Sequence, residues 1–203
     1  AGGIFTQSGV DSRRYVARWD GTAWQAMGTG MNNSVFALKS YQVTPISNAL
    51  VAGGGFTRAN GNSANFIAVW VTTENVPEGG WNPLGAGFNN TVYAIERFGG
   101  STYAAGAFTA SGATPLNRVA RFVPAGSSWV AVGAGFDNTL RALWVDGGTL
   151  YAAGDFTGKV ARWNGTSWTT VDGGTNGSTV ALASFHGEVM AGGSFTTARA
   201  SAT

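Results

Sequence analysis

Apolar residues along this chain fall in short alternating runs, such as Val16-Ala17-Arg18-Trp19, Val35-Phe36-Ala37-Leu38 and Leu140-Arg141-Ala142-Leu143, each bounded by Gly, Asn or Asp. Alternation of this kind in Val-, Ile-, Phe- and Trp-rich segments predicts half-buried strands, and the glycine-rich punctuation predicts tight turns between them. The expected class is all-β.

The runs repeat. Ala-(Ala/Gly)-Gly-x-Phe-Thr begins at Ala1, Ala52, Ala104, Ala152 and Ala191, at intervals of 51, 52, 48 and 39 residues. A second block follows the first four copies: Val16-Ala17-Arg18-Trp19, Ile67-Ala68-Val69-Trp70, Val119-Ala120-Arg121-Phe122 and Val160-Ala161-Arg162-Trp163. A third runs from a tryptophan to a glycine, Trp24 to Gly30, Trp81 to Gly87, Trp129 to Gly135 and Trp168 to Gly174. A fourth is a short apolar strand, Val35 to Leu38, Val92 to Ile95, Leu140 to Leu143 and Val180 to Leu182. Asp20-Gly21 and Asn164-Gly165 supply the positive φ of hairpin turns. Four strands per repeat of roughly fifty residues describe a propeller blade; a solenoid uses a shorter rung, and a sandwich does not repeat its sequence.

The expected fold is therefore a β-propeller of about four four-stranded blades, with residues 1–203 as one domain or as a segment of a larger propeller. Repeats start near 1, 52, 104 and 152, with a partial fifth at 191. Low side-chain bulk places the Ala152-Ala153-Gly154 strand and its equivalents innermost, where neighbouring backbones converge. Trp24, Trp81, Trp129 and Trp168 belong further out, filling the space between diverging sheets. Variation is confined to links: Gln7 to Tyr15 in the first copy shrinks to Gly158-Lys159 in the fourth, and Val71 to Gly80 lengthens another hairpin. Recognition is expected on such loops. The inner motif occurs once more than a closed four-blade ring needs, and the chain opens at Ala1 inside a repeat, so it reads as a processed or excised piece.

Val16-Ala17-Arg18-Trp19-Asp20-Gly21-Thr22-Ala23-Trp24, then Met27-Gly28-Thr29-Gly30-Met31-Asn32 and Ala52-Gly53-Gly54-Gly55-Phe56-Thr57, resemble the kelch-like propeller repeats of large secreted bacterial proteins. They are also similar to repeats of a fungal cortical cell-polarity marker family. The resemblance covers nearly the whole chain and implies an exported or surface-displayed propeller. It implies no reaction and no transferable catalytic motif. Val69 in place of Arg and Phe122 in place of Trp depart from the pattern without removing a functional group.

Composition narrows the function further. With 32 glycines but only 5 prolines, and no three-residue period, the chain is neither collagen-like nor a disordered linker. Twelve basic and ten acidic side chains leave a net charge of +2, and Arg13-Arg14 is the densest basic cluster, so nucleic acid is not an expected partner. Membrane insertion is not expected either, since no apolar run approaches the roughly 18 residues a spanning helix requires. Cysteine is absent, which removes disulfides, thiolate nucleophiles and sulfur-ligated zinc.

The candidate reactive residues have structural readings. His186, the single histidine, sits in the turn before the last inner strand with no second His or Cys to complete a site. Asp20, Asp146 and Asp172 precede glycine and read as turn residues. Asp155 fills the variable inner-motif position held elsewhere by Ile4, Gly55, Ala107 and Ser194, and so could face a channel, but one carboxylate cannot perform two-group acid/base catalysis. Gly28-Thr29-Gly30 lacks the following helix that a phosphate loop needs. The sequons at Asn32, Asn89, Asn164 and Asn176 are turn residues of the repeat.

No residue is thus assigned as catalytic, cofactor-binding or metal-ligating, no cofactor is expected, and no ligand-binding residue can be named. The expected function is a non-enzymatic, extracellular or surface-displayed propeller mediating protein interaction or structural assembly, within a larger complex. One alternative is a glycan-binding, lectin-like module using the four equivalent tryptophans. Another is the supporting part of a larger secreted enzyme.

Overall fold

The computed structural model describes residues 1–44, 47–73 and 76–198. Among these residues the chain is all-β, with one 3-10 turn at Pro124–Gly126 and no α-helix. It divides into two compact units, Ala1–Val92 and Tyr93–Thr203. Of the expected features, the middle of the Val71 to Gly80 hairpin (74–75) and the end of the last motif segment (199–203) lie outside the described residues.

The first unit opens with a small hairpin, β1 (Gln7–Ser8) and β2 (Asp11–Ser12), followed by a second, β3 (Ala17–Trp19) and β4 (Trp24–Ala26). A four-stranded sheet comes next. It begins with β5 (Val35–Thr44) and β6 (Ser47–Gly54), is interrupted by the hairpin β7 (Arg58–Ala59) and β8 (Asn62–Ser63), and ends with β9 (Ile67–Thr73) and β10 (Val76–Pro83). The strand order is β5-β6-β9-β10, a plain antiparallel meander.

The second unit repeats this twice. One sheet is β11 (Val92–Phe98), β12 (Ser101–Gly106), β15 (Val119–Val123) and β16 (Ser128–Ala131), with the hairpin β13 (Ala110–Ser111) and β14 (Thr114–Pro115) inserted before β15. The next is β17 (Leu140–Asp146), β18 (Thr149–Gly154), β19 (Val160–Trp163) and β20 (Trp168–Thr170). Here the inserted hairpin is reduced to the tight turn at Gly158-Lys159. A last hairpin pairs β21 (Thr179–Phe185) with β22 (Glu188–Gly193).

Every complete sheet thus starts on the fourth block of the repeat, so the sheets are out of phase with the starts at 1, 52, 104 and 152. The placement of the Ala-Ala-Gly strand as innermost is corrected on the same ground. β6, β12 and β18 each lie between two neighbours, and the sheet edge belongs to β5, β11 and β17. Small side chains there serve face-to-face packing rather than convergence at an edge. β12 is buried along almost its whole length, as a strand covered on both faces must be.

The step into the second block has one unusual feature that recurs. Tyr15, Phe66, Arg118 and Lys159 all adopt positive φ, at 64°, 65°, 68° and 61°. For side-chain-bearing residues this costs about 1–2 kcal/mol each. Hydrogen bonding on both sides holds the conformation. Their N–H groups donate to the carbonyls of Phe5, Phe56, Phe108 and Phe156 at 2.8–3.1 Å, and their carbonyls accept from Gly3, Gly54, Gly106 and Gly154.

The Gly-x-Gly segment has an equally local cause. A Cβ on Gly30 would lie 2.4 Å from the Arg14 carbonyl oxygen, and one on Gly135 2.2 Å from that of Asn117. Chain crossing, and not anion binding, requires glycine there.

Candidate functional site

The polar residues of the repeat mostly hold successive segments together. Asn32 precedes β5, and its Oδ1 accepts from the backbone N–H of Thr57 and Arg58, each at 2.9 Å, while its Nδ2 donates to Thr57 Oγ1 at 3.0 Å. Asn176 does the same to Thr196 and Thr197 at 2.9–3.0 Å. Asp137 takes the equivalent place opposite Thr157, accepting from its N–H at 3.1 Å and its hydroxyl at 2.6 Å. These bonds hold the Asp137 carboxyl below the usual carboxylate range. Asn32 and Asn176, two of the sequon asparagines, are therefore bonded to the next segment on both side-chain atoms. Asn164 is an Asx turn, accepting from Thr166 N and Ser167 N.

The tryptophans form a second repeated device. Directly opposed aromatic pairs close β3–β4, β9–β10, β15–β16 and β19–β20: Trp19 with Trp24, Trp70 with Trp81, Phe122 with Trp129, and Trp163 with Trp168, at ring separations of 5.1–5.4 Å. Trp81 and Trp129 are buried, and the indole N–H groups of Trp81 and Trp168 donate to the carbonyls of Met27 and Val132. The expectation of four buried rings holds for these two; Trp168 is half-buried, and Trp24 is 37% exposed beside Trp19 at 52%. Trp81 and Trp129 are correspondingly closed to a sugar ring, so the set does not form four equivalent shallow sites.

Reactive side chains gather most closely around Asp155. A bulge between Leu140 and Ala142 leaves Arg141 as the extra residue of the edge strand β17. Its Nε and Nη2 reach Asp155 Oδ2 at 2.9 and 2.8 Å, and its guanidinium lies 4.7 Å from the centre of the Tyr93 ring. The Ser178 hydroxyl donates to Asp155 Oδ1, and Lys159 Nζ donates to the Asp155 carbonyl at 2.7 Å. Burial pushes the carboxyl up, but the Ser178 hydrogen bond and the Arg141 and Lys159 charges outweigh it. The net shift is below the usual carboxylate range. Asp155 is thus an ionised, fully engaged acceptor, suited to fixing Arg141 and not to exchanging protons near neutrality.

Bulges recur at this step in β5 and β21, where the extra residues are Phe36 and Val180, 50% and 52% exposed. Sequence reasoning singled out Asp155 but not Arg141, Tyr93, Lys159 or Ser178. The signal was present: an arginine stands where the equivalent strands carry Phe36, Tyr93 and Val180, in the same repeat that places an aspartate at the variable position.

The remaining candidates stay apart. His186 is exposed in the β21–β22 turn at φ 52°, edge-on to Phe185 at 4.2 Å. Asp20 is a turn residue, accepting from Thr22 N, Ala23 N, the Thr22 hydroxyl and Gln25 Nε2 at 2.8–2.9 Å, which depresses its carboxyl strongly. Asp146 ends β17 and accepts from the Ser184 hydroxyl. Asp172 adopts positive φ at 45° in the turn after β20. Among the described residues no three of His, Asp and Glu come together as metal ligands.

No family model and no curated protein sequence matches the chain. In fold it is similar to the computationally designed Ika4 protein, with a TM-score of 0.52 at 13% identity over 80% of this chain and 87% of that one. It also aligns with the computationally designed Ika8 protein at a TM-score of 0.47 and 14% identity, over 80% of this chain and 56% of that one. At such identities the likeness to Ika4 concerns the arrangement of strands alone.

Proposed function

We propose that the four-stranded sheets are blades of a β-propeller, exported or displayed at a cell surface, that serves as a non-enzymatic scaffold for protein interaction or assembly. The observation that carries this reading is the distribution of polar chemistry. Asn32, Asp137, Asn176 and Asp155 are spent on holding the repeats in register, while the sequence varies in the equally long hairpins β1–β2, β7–β8 and β13–β14, which the fourth repeat lacks. Ser12, Asn62 and Thr114 on those hairpins are exposed. A repeated frame with variable exposed projections suits recognition without turnover. The common meander order of the three sheets, with the bulged strands β5 and β17 at the edges of two of them, supports the blade reading. Resemblance to secreted kelch-like repeats supports export.

The test replaces residues 7–15, 58–66 and 110–118, singly and together, by the Gly-Lys link of the fourth repeat. Binding to surface or extracellular material of the source is expected to fall with the hairpins while the far-UV spectrum and melting transition persist. Binding that survives loss of all three removes the hairpins from the function. A crystal structure with the sheets stacked face to face as a sandwich removes the propeller.

The glycan-binding reading keeps one specific observation, the exposed Trp19–Trp24 pair. Stacking on a sugar predicts saturable quenching of tryptophan fluorescence by glycans, abolished in Trp24→Ala.

A further inference from the structure

In the second repeat the hairpin β7–β8 does more than project. Asn60 and Gly61, both at positive φ (50° and 79°), make its two-residue turn. Ala59 bridges Met31, the Asn60 N–H donates to the Gly30 carbonyl at 2.8 Å, and Asn60 Oδ1 accepts from the Thr29 N–H at 3.0 Å. The Arg58 carbonyl accepts from the Asn32 N–H at 3.2 Å. The hairpin thus pairs with the Gly-x-Gly loop of the preceding repeat. It also closes the core there, since Met31, Ala59, Ala64 and Trp81 are buried in one cluster. The last copy makes the same main-chain contact, with Thr175 bridging Ala198 and the Asn176 N–H donating to the Thr197 carbonyl.

The fourth repeat, inside the second unit, has only Gly158-Lys159 at this step. Phe136 stands where Met31 does and Trp168 where Trp81 does, yet both are half-buried and not buried. Their rings are 4.9 Å apart, beside a cleft of about 220 Å³ that Gly135, Asp137, Phe156, Thr157 and Thr170 also line. The Ala134 N–H and the Gly135 carbonyl are the counterparts of the two groups that Asn60 bonds in the second repeat. Neither has a hydrogen-bond partner among the described residues. A shortened link has therefore left an apolar floor and a matched donor and acceptor without the cover that their equivalents possess.

We propose that this cleft binds a β-turn of a partner polypeptide, of the form small residue–Asn–Gly, seated where the missing hairpin would lie. The inference rests on the protein-interaction reading and names the chemistry of the partner. The small side chain covers Phe136 and Trp168 as Ala59 covers the equivalent pair. The asparagine N–H donates to the Gly135 carbonyl, and its side-chain oxygen accepts from the Ala134 N–H. A polypeptide is favoured over a sugar because the equivalent loops pair with main chain, at Met31 with Ala59 and at Thr175 with Ala198. Main-chain pairing supplies affinity, and the amide and the small side chain supply selectivity. The chain's own segment of this form, Thr57-Arg58-Ala59-Asn60-Gly61-Asn62-Ser63-Ala64, is already engaged on its own loop.

The probe is a backbone-cyclised peptide with the sequence of residues 57–64, titrated into the full chain with amide and indole NMR signals as the readout. Saturable shifts of Ala134, Gly135 and Phe136 and of the Trp168 indole are expected. Alanine in place of the peptide's asparagine should weaken binding about tenfold, the worth of its hydrogen bonds. A chain in which residues 58–66 replace Gly158-Lys159 carries its own cover, and is expected to melt at a higher temperature and to bind no peptide. Absence of shifts at 134–136 in the parent chain overturns the site, as does equal binding of the alanine peptide or undiminished binding to the grafted chain. Shifts at these residues with soluble glycans and not with the peptide overturn the polypeptide assignment. A parent chain that ignores the peptide yet binds surface material through its hairpins loses this site alone; one that binds neither loses the interaction reading as well.

Discussion

The indole N–H of Trp81 donates to the main-chain carbonyl of Met27, 54 residues earlier, at 3.1 Å in a buried setting. Trp168 makes the same bond to Val132. A side chain of one repeat thus satisfies a backbone group of the preceding one, so the large ring both fills space and sets register. Replacing Trp81 by Phe leaves a cavity and removes the donor to the Met27 carbonyl, at a cost of about 2–3 kcal/mol. Trp24→Phe, on an exposed ring, is expected to cost less than about 0.5 kcal/mol. Urea unfolding followed by far-UV signal checks the contrast, and equal losses would remove the register role.

Asn32 and Asp137 solve one problem with different side chains. Asn32→Asp should therefore be tolerated near neutral pH, because Thr57 can turn its hydroxyl to donate as Thr157 does to Asp137. Asn32→Ala strands two backbone N–H groups and is expected to cost roughly 1–2 kcal/mol. Thermal melts of the two variants decide; a larger loss from the aspartate variant contradicts the equivalence.

Asp155 gives the chain a pH-dependent element. Its folded carboxyl titrates below the unfolded value of about 3.9, so its contribution is present at neutral pH and is lost as pH falls through the folded pKa. Asp155→Asn should lower stability by about 1 kcal/mol near pH 7, a modest figure because the Asp155 and Arg141 side chains are 24% and 36% exposed and screened by water. The difference from the parent should shrink toward zero in urea titrations near pH 2. An unchanged difference at both pH values means that the ionised pair is not its source.

Glycine is required where chains cross, and much less so where a turn faces solvent. Gly135→Ala sets a methyl carbon against the Asn117 carbonyl at 2.2 Å, with φ at 67°. A loss of roughly 3 kcal/mol or more is expected. Gly147, with φ at 51°, has no atom within 4 Å of a built Cβ, and its alanine variant should lose only about 1 kcal/mol. Denaturation midpoints of the two variants test the distinction.

Period and composition were enough to specify the four main strands of the repeat and the equivalence of Trp24, Trp81, Trp129 and Trp168, because alternation and Asn-Gly or Asp-Gly turns act between near neighbours, but not the short hairpins β1–β2, β7–β8 and β13–β14, which were read as loops. The phase of the sheets was not legible, since strand order depends on which edges meet, and a repeating sequence leaves the choice of starting block degenerate. Nor was the positive φ of Tyr15, Phe66, Arg118 and Lys159 visible, because no local preference of these residues favours it; hydrogen bonds to the preceding motif, about ten residues back in the first three and only three to five in Lys159, impose it. Asp155 could be picked out by its departure from the repeat, but its partners Arg141 and Ser178 lie 14 and 23 residues away and meet it through the bulge in β17 and the following loop. The clearest case is β18 against β22. Their motifs are nearly the same, yet one is buried and the other exposed, because burial belongs to what lies beside a strand and not to the strand's own residues.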